Sequence, residues 1–218
     1  MKLATLFATL SIAVAAAPAV AQPGFGASLD TLANGWAHAN FETRDKAARA
    51  AEAAKVAADA AALAAQYPNR AEPLVWEAIA TATEGGAKGG LGGLAKAKEA
   101  RRLLVRAEAI NPAALGDGSV YTSLGSLYAQ VPGFPVGFGD AAKARAYLQK
   151  ALAASPNGID SNFFYGDFLA RQGDNAGAAR ALEKAIAAPP RPGREIADRG
   201  RRAEATTLLA QVRAKARG

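Results

Sequence analysis

Three segments of this chain close in the same way, and that recurrence restricts the possible folds more than any other feature of the sequence. They end at Pro112, Pro156 and Pro190, in the sequences EAINP, LAASP and IAAPP. Each segment has an alanine five residues before its proline and another alanine seven residues earlier, with a leucine between them. A step of seven residues is two helical turns, so these residues share one helix face. The pattern predicts three similar helices that pack closely against neighbouring helices.

The composition of the chain also favours helices over strands. Half of the 218 residues are hydrophobic, but alanine supplies much of that half, and aromatic residues make up only 7% of the chain. Alanine is the best helix former, and the β-branched residues that favour strands are sparse. A chain of this length can bury a core as one domain or as two small ones. We therefore predict an all-α fold.

The repeat is best preserved between Pro156 and Pro190, which are 34 residues apart. The residues that define it within this span are Gly166, Gly173, Ala178, Leu182, Ala185 and Pro190. This order and spacing resemble the tetratricopeptide repeat (TPR) family, in which the two helices of a pair pack through small residues and a proline ends the second helix. The resemblance implies a TPR-like solenoid of helical hairpins.

The repeat before it fits the same pattern only if it contains an insert. Its first-helix positions are filled by Tyr121, Leu124, Gly125 and Tyr128. The turn glycine then comes seven residues late, at Gly139, and the extra residues fall in VPGFPVG. The next repeat upstream has ten extra residues in EGGAKGGLGGLAK, at the equivalent place. Because intra-repeat turns stack along one side of a solenoid, both inserts are expected to project from the same edge.

This register divides residues 22–218 into the units of a single domain. The predicted units are a degenerate helix pair at 28–68, a repeat with the glycine-rich insert at 71–112, a repeat with the Pro/Phe insert at 118–156, a repeat at 159–190 and a C-terminal capping helix at 195–216. The capping helix follows the helix-breaking sequence PPRPG and has apolar residues along one side. It suits that position because an end repeat must cover its exposed apolar face.

The first 21 residues have the pattern of a secretory signal peptide. Lys2 gives a short positive region, residues 3–17 are apolar, and Ala19-Val20-Ala21 is a small-x-small cleavage site. The apolar run is too short for a good transmembrane span. We therefore predict cleavage after Ala21 and a periplasmic or secreted protein without stable membrane insertion. The chain has no cysteine, so packing alone must stabilise it in an oxidising compartment.

Most of the net positive charge is expected at the C-terminal end of the chain. The formal net charge is +7, and residues 191–218 contain eight basic residues against three acidic ones. Such an end is usually a solvated helix face whose cations are well placed for the helix dipole. Nucleic acid is not expected as a partner, because this segment has no aromatic residue on which a base could stack. An anionic partner or membrane surface is the alternative.

No group of residues in the sequence points to catalysis, a cofactor or a metal. Residues 90–95 satisfy G-x-G-x-x-A, but a dinucleotide site needs a strand before this motif, and the preceding segment has helical character. His38 is the only histidine, and no cluster of other ligands accompanies it. Asp160 and Asp167 lie two helical turns apart, but nothing suggests a raised pKa for either carboxyl. We predict a protein that is not an enzyme and holds neither cofactor nor metal.

The resemblance to TPR proteins also implies a concave groove lined by the first helices of successive repeats. Carried over by register, the residues that face this groove are Glu72, Val75, Ile79, Thr122, Ser126, Gln130, Phe163, Asp167 and Arg171, with Asp160 at the entrance. The set is apolar at one end and charged at the other, which suits an extended peptide or a helix of a protein partner. We therefore predict a non-catalytic interaction or scaffolding module.

The Pro/Phe insert has two interpretations. Phe134, Pro135, Val136 and Phe138 stand where an ordinary turn is polar. Either these residues fold back over the repeat and extend its core, or they form a contact surface for a partner or for self-association of the chain. On the second interpretation, Phe134 and Phe138 are the contact residues, and a homo-oligomer is one outcome.

Two other functions are alternatives. The signal peptide, the short array and the arginine-rich capping helix together resemble exported TPR proteins related to the T component of TRAP transporters, a family of periplasmic accessories that associate with a solute-binding partner. The second alternative is a small anionic ligand held by the glycine-rich loop, where free amides near residues 93–96 lie close to Lys88. An open array of three repeats, however, is not expected to provide a closed pocket for a small molecule.

Overall fold

Nine α-helices form the regular structure of residues 24–216, the part of the chain that the computed structural model describes. Their bounds are α1 Phe25–Phe41, α2 Lys46–Gln66, α3 Glu72–Lys88, α4 Gly90–Ile110, α5 Ser119–Gln130, α6 Ala141–Ala154, α7 Ile159–Arg171, α8 Asn175–Ala187 and α9 Glu195–Lys215. The all-α prediction is confirmed. The predicted signal peptide, residues 1–21, lies outside the described residues.

The first eight helices form four consecutive pairs, and each helix packs against the one before it. The first helices of the pairs also contact one another in succession, α1 with α3, α3 with α5, and α5 with α7. They therefore form an inner layer, and the second helices form the outer layer. This is the two-layer arrangement of a helical solenoid, in which each repeat buries its apolar face against its neighbours.

Aspartate N-caps fix where three of the outer helices begin. The side chains of Asp45, Asp140 and Asp174 each accept a hydrogen bond from the backbone N–H three residues later, at 2.8, 3.0 and 2.8 Å. An N-cap satisfies an N–H group that would otherwise lack a partner and contributes about 1 kcal/mol to helix stability. The turn inside three of the pairs therefore ends at a defined residue.

The small residues of the repeat lie where the two helices of a pair approach most closely. A Cβ atom added to Gly125 would lie 2.6 Å from Leu148 Cγ, and one added to Gly166 would lie 2.8 Å from Leu182 Cγ. Both leucines are completely buried. The recurrence that marks the sequence is therefore a packing requirement, because any side chain at the glycine positions would displace a core leucine.

The glycine-rich insert differs from its prediction as a loop, because its residues extend two helices. Helix α3 continues through Gly85 and Gly86, helix α4 begins at Gly90, and Gly89 alone separates them. The reason is a close crossing of the two helices: a Cβ on Gly93 would lie 2.6 Å from the carbonyl oxygen of Gly85. Glycines are needed at Gly85 and Gly93 so that the two backbones can approach this closely.

This crossing makes adjacent glycines respond in opposite ways to the same substitution. We expect Gly93→Ala to lower the free energy of unfolding by about 1–3 kcal/mol, because the new methyl group overpacks the crossing. Gly92 has no atom near its added Cβ, so Gly92→Ala should raise that free energy by about 0.5–1 kcal/mol through helix propensity. Urea denaturation of both variants checks this, and shifts of the same sign would contradict the close crossing.

Helix α9 packs on α8 as a capping helix should, and it also reaches α1 at the opposite end of the array. Leu209 and Val212, in its C-terminal half, join the core of α7 and α8. Ala197, near its start, lies in the separate core that surrounds Trp36 and Trp76. The prediction of a cap that covers only the last repeat is therefore incomplete, because α9 also closes one side of the concave face.

A cluster of ion pairs holds α9 in this position. Asp160, at the start of α7, accepts hydrogen bonds from Arg201 Nε at 2.8 Å and from Arg191 Nη1 at 2.9 Å. Arg191 also donates from Nε to Asp198 Oδ1 at 2.8 Å. Arg201 is buried, and its guanidinium carbon lies 4.7 Å from the centre of the Phe163 ring. Burial by itself raises the pKa of Asp160, but the charges of Arg201 and Arg191 hold that pKa below its usual value.

Within residues 24–216, no helix combines the length and the apolar character that crossing a bilayer requires.

Candidate functional site

An open cleft of about 880 Å³ lies between the inner helices and α9. It is lined by residues of α3 and α5, including Ile79 and Ser126, and by Asp167 on α7. Arg201 of α9 also lines it. The open array predicted from the sequence is thus corrected, because α9 partly encloses the groove.

Six of the ten predicted groove residues line this cleft. They are Ile79, Ser126, Gln130, Phe163, Asp167 and Arg171. These positions lie on α3, α5 and α7. The register carried over from the repeat therefore places these six side chains on the face of the inner helices that lines the cleft.

The other four predicted groove residues lie elsewhere, each for a physical reason. Val75 is completely buried in the core between the first and second layers. Thr122 is also buried, and its hydroxyl donates to the carbonyl of Gly118 at 3.0 Å. Glu72 accepts two hydrogen bonds from Arg70, at 3.0 and 2.7 Å, outside the cleft. Asp160 holds α9, as described above. Val75 and Thr122 are therefore structural residues rather than groove residues.

Several residues that line the cleft were not predicted from the sequence. They are Asn40 of α1, Ser123 of α5, Leu94 of α4, and Arg201 and Glu204 of α9. The contribution of α9 depends on its contact with α1, about 160 residues away in sequence, and no local pattern in the chain encodes that contact. Asn40 lines the cleft for the same reason, because the contact between α9 and α1 makes α1 part of the site.

The charged groups of the cleft are paired with one another. Arg171 Nε donates to Asp167 Oδ2 at 2.9 Å, and Arg201 Nη1 donates to Glu204 Oε2 at 2.6 Å. The remaining lining is mostly apolar, with neutral polar side chains such as Ser126. A ligand with apolar groups and neutral hydrogen-bonding groups therefore matches this cleft better than a strongly charged one.

An apolar rim borders the cleft where the two inserts meet. We define it by Leu91, Phe134 and Val136, whose exposed fractions are 85, 93 and 60%. The inserts are in contact, since a Cβ on Gly137 would lie 3.3 Å from Leu94 Cδ1. Large exposed apolar side chains grouped at one edge of a molecule often mark interaction sites, and Leu91 and Val136 both line the cleft. The prediction that the two inserts share an edge agrees with this contact.

The two interpretations of the Pro/Phe insert each apply to a different part of it. Phe138 folds back against the repeat: its ring centre lies 5.6 Å from that of Tyr128, and the guanidinium carbon of Arg101 lies 4.2 Å from the Phe138 ring centre. Phe134 has no such cover. The placement of Phe138 as a contact residue is therefore corrected, because its ring already packs within the protein, and Val136 presents the exposed surface instead.

The geometry gives little support to an anion site at the glycine-rich segment. Glu84 is buried and forms ion pairs with both Lys88 and Lys96. Burial alone raises the pKa of Glu84, but the two lysines lower it more, so the carboxylate stays charged. Both lysines are therefore already matched by a negative group of the protein.

Among residues 24–216 there is no group of three or more histidine, cysteine, aspartate or glutamate side chains arranged to hold a metal ion. His38 lies at the surface and shares a hydrogen bond with Glu42, with Nδ1 and Oε2 2.9 Å apart. That ring therefore stabilises the end of α1.

Comparison with solved structures identifies a fold neighbour. The chain is similar to the crystal structure of a thermophilic TPR protein in Thermus thermophilus, with a TM-score of 0.53 and 21% sequence identity over 75% of this chain and 82% of that one. A scan against protein-family models and a search of curated proteins found no match. The structural likeness confirms the predicted TPR-like fold. The narrower resemblance, to the T component of TRAP transporters, stays a prediction.

Proposed function

We propose that this chain, a TPR-like helical solenoid, is an exported and non-catalytic module that binds a segment of a protein partner in the cleft between the inner helices and α9. The fold suggests protein–protein interaction in general, because solenoids of this kind present extended concave surfaces. Export is supported by the signal-peptide pattern of residues 1–21. The mostly apolar lining of the cleft, with its charged groups paired to one another, supports a protein segment as the ligand.

One observation carries the proposal: the apolar rim continues directly into the cleft. Val136 lines the cleft and is also 60% exposed to solvent. Leu91 does the same from the other insert. A soluble protein that keeps such side chains uncovered loses hydrophobic stabilisation unless another molecule covers them. A partner segment that enters the cleft across the rim would bury both residues.

The cleft suits a segment with apolar anchors and no strong charge. Apolar side chains of the segment would pack on the rim, and its backbone would find hydrogen-bonding groups in Ser126, Gln130 and Asn40. The paired Asp167 and Arg171 offer no net charge for a strongly acidic or basic segment. This distinguishes the expected partner from one that would be recruited by the basic C-terminal helix.

Substitutions in the rim test this proposal. We expect the double variant Leu91→Asp/Val136→Asp to weaken partner binding at least tenfold, equivalent to about 1.4 kcal/mol, because both contacts at the mouth of the cleft become charged. The melting temperature should change little, since both side chains are exposed. Capture of the partner from the exported fraction of the host, followed by titration of the purified partner, measures the effect.

The matched control is Val105→Asp. Val105 is an exposed apolar residue of α4 that does not line the cleft, so this variant should bind as the wild type does. A photo-crosslinking residue at Gln130 should label the same partner, and one at Val105 should not. Equal labelling from both positions, or equal loss of binding in both variants, would overturn the proposal.

The same crosslinking experiment separates three kinds of partner. A solute-binding protein crosslinked at Gln130 would support the accessory function suggested by the TRAP-related resemblance. A second copy of this chain would indicate that the rim mediates self-association. A different exported protein would make this chain a general interaction module.

A further inference from the structure

The two layers of the solenoid carry opposite charges. In the three repeats formed by α3 to α8, the inner helices α3, α5 and α7 contain five acidic residues and two basic ones. The outer helices α4, α6 and α8 contain ten basic residues and three acidic ones. Because inner and outer helices alternate along the chain, the charges separate only when the helix pairs fold into two layers. The outer layer of these repeats is therefore positively charged.

Most of the outer cations have no ionic partner. Lys96 pairs with Glu84 of α3. Lys143 pairs with Asp140, the residue that precedes α6. The other eight basic side chains form no ion pair among the described residues, and seven of them are exposed. We call these eight residues the outer basic surface: Lys98, Arg101, Arg102, Arg106, Arg145, Lys150, Arg180 and Lys184.

The carboxylates of the outer helices do not balance this surface. Glu183 pairs with Arg213 of α9, with Oε1 and Nη2 2.6 Å apart. Glu99 pairs with Lys96, which is not part of the surface. Glu108 is the third acidic residue of these helices, and its Oε2 accepts a hydrogen bond from a neutral hydroxyl group. The eight cations therefore keep an excess of positive charge.

One acidic residue of the inner layer lies near the outer basic surface. Burial raises the pKa of Glu77 on α3, although the charges of Arg102 and Arg106 lower it. Together with Glu108, this residue gives two carboxylates beside eight cations. A solvent-exposed helix face commonly interleaves the two signs of charge, so the excess indicates a negatively charged partner.

Three of the cations occupy the same position in successive repeats. Arg106, Lys150 and Lys184 each stand immediately before the second alanine of the repeated motif. Equivalent positions of stacked repeats lie side by side along a solenoid, so these side chains form a row on the outer layer. The helix dipole does not account for this row, because the last turns of α4 and α6 contain no basic residue.

We propose that the outer basic surface binds the surface of an anionic phospholipid bilayer. Clusters of about four to eight lysine and arginine side chains are typical of such contacts, and each one strengthens binding about fivefold. A protein partner fits less well, because large apolar or aromatic side chains usually anchor a protein interface, and α6 and α8 expose none. None of the eight residues lines the cleft, so the cleft stays open for its own ligand.

Sedimentation with lipid vesicles tests the proposal on the predicted mature protein, residues 22–218. The vesicles consist of phosphatidylcholine alone or contain about 30% phosphatidylglycerol, which supplies the negative charge. Binding should be at least tenfold stronger to the anionic vesicles. It should also weaken as salt rises from about 0.1 to about 1 M, because the Debye length falls from about 10 to about 3 Å. Equal binding to both kinds of vesicle, or binding that salt does not weaken, would overturn the proposal.

The row of equivalent cations supplies the variant that locates the contact. Arg106→Gln/Lys150→Gln/Lys184→Gln removes three positive charges from the outer basic surface and should weaken binding to anionic vesicles at least tenfold. The melting temperature should change little, because all three side chains are exposed. Undiminished vesicle binding by this variant would contradict the proposal.

The matched control removes the same number of charges from other helices. Lys46→Gln/Lys55→Gln/Lys215→Gln changes exposed residues of α2 and α9, and it should weaken vesicle binding less than about twofold. If the two triple variants lost binding equally, the net charge of the protein rather than the outer basic surface would control binding, and the proposal would be wrong.

Affinity capture separates a bilayer from an acidic protein as the partner of this surface. An acidic protein that the wild type retains and Arg106→Gln/Lys150→Gln/Lys184→Gln loses, together with no binding to anionic vesicles, would overturn the lipid assignment. The same variant should still bind the partner of the cleft, because its three altered residues do not line the cleft. Vesicle binding and cleft binding are therefore measured separately, and either proposal can fail alone.

Discussion

Replacing Asp160 with alanine is expected to lower the free energy of unfolding by about 3 kcal/mol, the low end of the cost of breaking a buried ion pair, because Arg201 is buried but Asp160 is itself 28% exposed. Asp160 accepts hydrogen bonds from both Arg191 and Arg201. Without it, Arg201 is left buried among aromatic rings with only Glu204 as an ionic partner. The variant therefore loosens the contact between α9 and α7.

Urea denaturation measures this loss, and Asp167→Ala is the matched control. Asp167 lies seven residues further along the same helix and is 15% exposed, but its partner Arg171 is about half exposed. Its removal therefore leaves a solvated cation rather than a buried one, and a pair of this kind contributes only about 0–1 kcal/mol. If both variants lost the same small amount of unfolding free energy, the ion pairs of Asp160 would not be what holds α9 in place.

The loss of stability in Asp160→Ala should depend on pH. Because Arg201 and Arg191 hold the folded-state pKa of Asp160 below its ordinary value, the ionised form stabilises the folded protein. That stabilisation is fully present above the unfolded-state pKa of about 3.9, and it is lost as the pH falls through the lower folded-state value. The difference in stability between wild type and Asp160→Ala should therefore shrink as the pH falls below about 4. If the stability difference between the two proteins grew as the pH fell below about 4, the pKa of Asp160 would not be lowered in the folded state.

Removing residues 195–218 should destabilise the rest of the chain by more than about 5 kcal/mol, a large part of the 5–15 kcal/mol that stabilises an ordinary domain. Helix α9 buries Leu209 and Val212 against α7 and α8, and such side chains contribute about 1.5–3 kcal/mol each when buried. It also buries Ala197 against the tryptophans of α1 and α3. The truncation exposes both cores and removes Arg201 from its cluster.

Circular dichroism during heating should show a broad or absent transition in the truncated chain, together with reduced solubility from the uncovered apolar faces. A chain that ends at Lys215 is the control, because it keeps all of α9 and should melt as the wild type does. A truncated chain that still melts sharply near the wild-type temperature would mean that α9 is only a peripheral addition.

The parts of the fold that follow from local pattern could be predicted from the sequence. The recurrence of Gly166, Leu182 and Pro190 identifies a helix pair because each residue meets a requirement of packing or chain termination within that pair. The same logic places Ser126 and Gln130 on the inner surface of α5. These features depend on residues that are close in sequence, so a periodic pattern records them.

Features that depend on distant contacts could not be predicted in this way. The path of α9 across the concave face requires Arg201 to pair with Asp160 and Ala197 to join the core that contains Trp76, and no periodicity relates those positions. Local composition can also mislead. The glycine-rich insert has the composition of a flexible loop, yet its residues are helical because Gly85 and Gly93 allow two backbones to cross closely.

The contact of α9 with α1 changes the kind of cooperativity that this array can have. A linear solenoid frays from its ends, because each terminal repeat has a neighbour on one side only. Here Arg199 Nη2 donates to Glu42 Oε1 at 2.8 Å across 157 residues of sequence, so the first and last units support each other. Folding then requires a long-range closure, which is slower than the formation of contacts between adjacent repeats. The final step of folding must await the last helix, and a chain that lacks it has two unprotected ends.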